Sequence, residues 1–252
     1  MRPKGIISLY DYCCDNNFYE WFFSEEYKSR DQRIFPRLIC MAPVYFKDDG
    51  ILTLKEEVFD PNEERNSTWK ITDFDEGPRN SRLPHRPYKE FQLEKDDDLM
   101  VLKCKIRPVL AIKELKCDWR MPYKHFMKFW LCLPIFSYRP RHPQSFVISD
   151  QRLEAPIRFY FPPGTPGLAE EGAALISGLQ CIPERNLYPY KCFCDLGDTP
   201  MDRPVKLGDY AFKAVVGHLS KLLPEIEISG SSKEWYDFFK ELVNEEIDKL
   251  SI

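Results

Sequence analysis

Twenty-one prolines fall along a chain of 252 residues. Each one removes a backbone donor and fixes φ, so a central β-ladder or a helix interior accepts it only at a cost. The chain must therefore be built from many short elements. The most informative of them surrounds Pro108. Leu99 to Ile112 reads LMVLKCKIRPVLAI, two apolar runs joined by Lys103-Cys104-Lys105-Ile106-Arg107-Pro108. Runs this short, without helical spacing, predict a pair of buried strands. Pro108 has to open the second strand or lie on an edge, which leaves Arg107 at a strand mouth. A cation held there by rigid backbone can meet a phosphate or a carboxylate. The plainer reading is a surface arginine beside a turn.

A hydrophobic fraction of 43% and an aromatic fraction of 14% exclude a disordered chain and predict a folded, loop-rich one. Apolar residues nowhere run for the length of a membrane helix, and the apolar start is soon interrupted by Asp11 and Asp15, so neither a spanning nor a targeting segment is expected. Nine scattered cysteines fit a reducing cytoplasm better than a disulfide scaffold. Cys181, Cys192 and Cys194 lack a second close pair, and His85, His125, His142 and His218 are far apart, so no metal site is expected. The chain carries no Gly-rich phosphate loop, no Gly-x-Ser-x-Gly elbow and no His-Glu-x-x-His, and no cofactor is expected.

The net charge of −4 hides an asymmetry. Residues 1–100 carry 15 Lys+Arg against 21 Asp+Glu, residues 101–147 carry 10 against 2, and residues 148–252 carry 11 against 17. Aromatic residues interleave the basic island, among them Trp119, Tyr123, Phe129, Trp130, Phe136 and Tyr138. Cations beside aromatic faces suit phosphates and stacked single-stranded bases. The competing reading is a solvated face, or pairing with the acidic flanks of the same chain.

In chain order, Phe18, Trp21 and Phe22 have the spacing of a short amphipathic helix, with core packing as its use. Residues 34–47 predict strands, Asp48-Asp49-Gly50 a hairpin turn, and Ile51 to Leu54 the returning strand. Residues 60–98 predict an irregular acidic linker or cover. Trp130–Phe136, Phe146–Ile148 and Ile157–Phe161 predict strands, with a rigid basic loop over Ser137–Pro143 and a turn over Pro162–Gly167. Many short strands between turns point to a barrel or sandwich. Asp209 caps a predicted helix through Phe212, Val215, Val216, Leu219, Leu222 and Leu223, and a Ser231/Glu234 capping box opens a second, with Trp235, Phe238, Leu242 and Ile247 on its stripe. Such a stripe docks on its own domain or on a partner.

The order of these pieces resembles the PemK and MazF family of plasmid-maintenance toxins over residues 97–223. Asp98-Leu99-Met100-Val101 stands at the family's opening strand, and Arg107-Pro108 with Val109 to Ile112 is similar to its Arg-Pro and apolar strand. Leu133 to Ser137 resembles the strand ending in Thr or Ser, Leu179 to Leu187 resembles its Gln-Ile-Arg-Thr-Ile segment, and Val215 to Leu223 falls at its closing helix. The resemblance implies a mainly β chain with some helix, an SH3-like small β-barrel over residues 96–223. Flanking it are an N-terminal α+β extension (1–95) and a C-terminal amphipathic helix (224–252). It also implies a homodimer and metal-independent cleavage of single-stranded RNA, with an antitoxin or other acidic protein as partner. Arg107 is then the stabiliser of phosphate charge, Ser137 or His142 assists proton transfer, and Lys103, Lys105, Arg139 and Arg141 hold phosphates. The alternative keeps the barrel without chemistry, as a nucleic-acid- or protein-binding module. A third reading lays the acidic residues 60–98 over the basic island as a built-in inhibitor.

Overall fold

The computed structural model describes residues 18–22, 33–45, 52–58, 68–73, 100–101, 104–115, 128–194, 201–223 and 241. Two compact units emerge, one of residues 1–43 and 106–252 and the other of residues 44–105. Residues 18–43, expected in an N-terminal extension, thus supply strands to the larger unit.

The second unit holds β3 (Leu52–Val58), flanked by antiparallel β4 (Thr68–Asp73) and β5 (Met100–Val101). Two expectations are corrected here. Residues 60–98 are not wholly irregular, because Trp69 and Ile71 alternate with polar neighbours at the period of a strand. β3 does not return along β2 (Ile39–Tyr45) as a hairpin, because β2 is taken into another sheet. The rest of residues 60–98, the Asp48–Gly50 turn and the helix expected after Ser231 lie outside the described residues, apart from Glu241.

In the first unit a seven-stranded sheet runs β11 (Tyr188–Pro189), β2, β6 (Cys104–Leu115), β7 (Phe129–Ser137), β9 (Gly172–Leu175) and β8 (Arg158–Phe161), with β10 (Gln180–Pro183) also on β7. The expected strand pair in Leu99–Ile112 exists as two strands, β5 and β6, but in different sheets. Pro108 lies just before the β6–β7 ladder, which begins at Val109 opposite Pro134. β6 lines one edge of β7, while β10 and β9 share the other, β10 over residues 129–132 and β9 over 135–137. A three-stranded sheet, β1 (Tyr19–Trp21), β13 (Met201–Leu207) and β12 (Lys191–Cys194), meets the larger one through the Leu38–Lys206 bridge. The chain is mainly β, in open sheets, with two helices among the described residues.

Leu110, Leu133, Ile135, Ala174, Phe159 and Phe161 from the large sheet, Val205 and Leu207 from β13, and Phe18 and Tyr19 form one buried apolar cluster. Helix α2 (Asp209–Leu222) closes it with Ala211, Ala214, Val215, Val216 and Leu219. Its N-cap is Gly208 rather than Asp209, whose carboxylate instead bridges Lys213 at 2.7 Å. The aromatic segment at Phe18 is strand, not helix. Pairing of Tyr19–Trp21 with Val205–Leu207 satisfies its backbone and still buries Phe18 and Tyr19. Phe146–Ile148 belongs to helix α1 (Gln144–Gln151), not a strand. Three apolar residues carry no period, and Pro143 at the N-cap supplies the helix start that decides the case. Among the described residues no helix is long and apolar enough to cross a membrane.

Candidate nucleic-acid interface

Strand alternation sorts the residues around the end of β7 into two faces. Phe136 pairs with Ala173, and Ala173 with Tyr160, while Arg107 shares its side of β6 with Val109, the partner of Pro134. Arg107, Phe136, Ala173 and Tyr160 therefore form a row on one face. Ser137, paired with Gly172 and through it with Phe161, belongs to the core face. Gly172 is required by close approach: a Cβ there would lie 2.5 Å from the Phe136 carbonyl oxygen.

Beyond β7 the chain turns tightly. The His142 N–H donates to the Arg139 carbonyl at 2.9 Å, closing a β-turn with Pro140 at its second position, where the fixed φ of proline fits. The Arg139 N–H donates in return to His142 Nδ1 at 3.1 Å. With Nδ1 accepting, the neutral imidazole carries its proton on Nε2. The Tyr138 N–H donates to the Glu171 carbonyl at 3.0 Å, tying this turn to the loop before β9.

Between them opens a pocket of about 760 Å³ lined by Arg107, Phe136, Ser137, Tyr138, Arg139, Pro140, Arg141, His142, Glu170 and Glu171. Arg107, Ser137, Arg139, Arg141 and His142, singled out from the sequence, are thus brought to one pocket. Lys105 is exposed on β6 and is not a lining residue, and Lys103 lies outside the described residues. Arg107, Arg139 and Arg141 form no ion pair among the described residues. Arg107 Nε is buried from solvent and has no hydrogen-bond partner among them. A buried guanidinium donor without an acceptor is an unmet hydrogen bond.

Under the pocket lies a polar support that sequence reasoning missed. Asp150 is fully buried; it accepts the Tyr138 hydroxyl at 2.7 Å and Arg158 Nε at 2.8 and 2.9 Å. Burial first, then the bond to Asp150 and the charges of Asp150 and Glu171, push the Tyr138 phenol far up, so it stays protonated. The Arg158 guanidinium lies 3.8 Å over the Phe146 ring, and Phe146 packs against His142 at 5.5 Å between ring centroids. Glu171 accepts Gln151 Nε2 at 3.0 Å and the Tyr160 hydroxyl. The sequence signal was present only as an adjacent acidic pair, Glu170-Glu171, one step before the Gly-Ala-Ala-Leu strand. Nothing local tied that pair to Arg107.

Among the described residues no three His, Cys, Asp or Glu side chains group as metal ligands. No family profile, curated protein or solved structure matches the chain.

Proposed function

We propose that the chain is a divergent PemK/MazF-like protein that acts on single-stranded RNA at this pocket, as a metal-independent endoribonuclease of toxin-antitoxin type. The observation that carries the reading is that Arg107, whose buried Nε has no hydrogen-bond partner among the described residues, lines one pocket with Arg139 and Arg141. In cleavage the ribose 2′-oxygen attacks the adjacent phosphorus and negative charge grows on the phosphoryl oxygens. Arg107 is suited to bind two of them. Arg139 and Arg141, exposed at the turn, hold neighbouring phosphates, and His142 offers an Nε2–H donor to a phosphate oxygen. Phe136 and Tyr138 offer ring surface to a base. An SH3-like arrangement around β7 is part of this proposal, supported by a nine-residue strand paired along both edges. A homodimer and an acidic antitoxin-like partner, in a cytoplasmic setting, complete it.

A second reading, binding without cleavage, is favoured by one detail. Ser137 sits on the face opposite Arg107 and His142 Nδ1 is occupied, so neither is set up to take a proton. Incubating a labelled single-stranded RNA pool with the protein in EDTA decides between them. Fragments ending in 2′,3′-cyclic phosphate, absent with folded Arg107→Ala, support the nuclease. RNA retained but uncut establishes the binding module, and RNA neither bound nor cut removes both.

A further inference from the structure

We infer that Glu171 is the catalytic proton acceptor of this pocket, an assignment that rests on the ribonuclease reading of the same site. Tyr138 lies opposite Glu171 one position beyond the Ser137–Gly172 pair. Two residues on from Phe136 and two back from Ala173, both return to the face that carries Arg107. β7 lies between the arginine and the carboxylate, two strand spacings or about 10 Å across the sheet, so the two long side chains approach a phosphodiester in the pocket from opposite sides.

Glu171 is held in place as a catalytic base has to be. Its Oε1 accepts the Tyr160 hydroxyl and Gln151 Nε2, which fixes the carboxylate, and its backbone carbonyl is tied to Tyr138. Glu170, by contrast, is exposed. The other lining groups are poorly placed to take a proton. Burial keeps the Tyr138 phenol protonated, His142 Nδ1 already accepts a backbone N–H, and Ser137 faces the core side.

The step balances as follows. The 2′-hydroxyl gives its proton to the Glu171 carboxylate as the 2′-oxygen forms its bond to phosphorus. The bond from phosphorus to the 5′-oxygen breaks, and that oxygen takes a proton from water in the open pocket. Glu171 returns its proton to solvent, leaving a 2′,3′-cyclic phosphate and a 5′-hydroxyl.

The test compares wild type, Glu171→Gln, Glu171→Asp and Tyr160→Phe on a cleavable single-stranded RNA and on its 2′-O-methyl analogue, which binds but cannot be cut. Glu171→Gln should lower kcat by about 100-fold or more and abolish the acid limb of the pH–rate profile. Its affinity for the analogue should stay within about threefold of wild type. Glu171→Asp should recover part of the rate, and Tyr160→Phe should lower kcat with little change in KM. Wild-type kcat in folded Glu171→Gln, while Arg107→Ala is inactive, overturns the Glu171 assignment alone. Absence of cleavage by wild type overturns the ribonuclease reading and this assignment together.

Discussion

Three residues show how much of the site is a matter of single atoms. Arg107 lay in a legible Arg-Pro context, but its unmet Nε could be seen only once β6 was placed beside β7. Arg107→Ala is expected to abolish RNA cleavage with an unchanged circular dichroism spectrum, since the side chain makes no ion pair that the fold relies on among the described residues. Gly172 has no room for a side chain, with the Phe136 oxygen 2.5 Å from the missing Cβ. Gly172→Ala should cost about 1–3 kcal/mol in urea unfolding, because one of two backbones must move. Asp150 is the reverse case, a buried charge satisfied by two partners. Asp150→Ala strands Arg158, and since that side chain keeps 24% of its exposure the expected loss is about 3 kcal/mol, the low end for a broken buried pair. Urea unfolding measures it. Nothing in the sequence marked Asp150, because its neighbours in α1 say nothing of β8.

At the scale of elements, the Arg139–His142 turn and the loop before β9 form the two lips of the pocket, and their charges act as a set. With Arg107, Arg139 and Arg141 each on a phosphate, the logarithm of single-stranded RNA affinity should fall against the logarithm of salt with a slope of about −2. Replacing Arg139 or Arg141 by alanine should reduce that slope by about 0.7 each. A slope that does not change would place these side chains off the phosphates. The turn itself was readable, because Arg-Pro-Arg-His carries proline where a β-turn wants it. β7 and β8 were readable as apolar runs between turn signals. β1 and α1 were not, since a few aromatic or apolar residues satisfy helical and strand periods equally and partner strands or a preceding proline make the choice.

Over the whole molecule, buried weak acids give stability a definite pH dependence. Burial pushes the Cys40 and Cys132 thiols up, each reinforced by a nearby cysteine, and the Tyr138 phenol likewise. In the folded state these groups hold their protons where the unfolded chain, above about pH 8.5 for thiols and pH 10 for phenols, loses them. The unfolded state then binds fewer protons, so stability should fall as pH rises through that range and show no such slope below it. Urea midpoints measured from pH 7 to pH 10.5 check the sign. The division into units likewise became visible only in three dimensions: residues 18–43 join residues from beyond 106 in shared sheets, a pairing at long sequence separation that composition cannot reveal. By itself the sequence determined the mainly β character, the α2 helix, the basic turn and the residue types able to meet phosphate. These depend on periodicity, turn chemistry and charge, which are local. Only the tertiary structure decided which strands pair, which face each side chain takes, and that Arg107 and Glu171 line one pocket with Tyr138, whose hydroxyl the buried Asp150 holds. Ladder register and burial are properties of chain segments brought together from far apart.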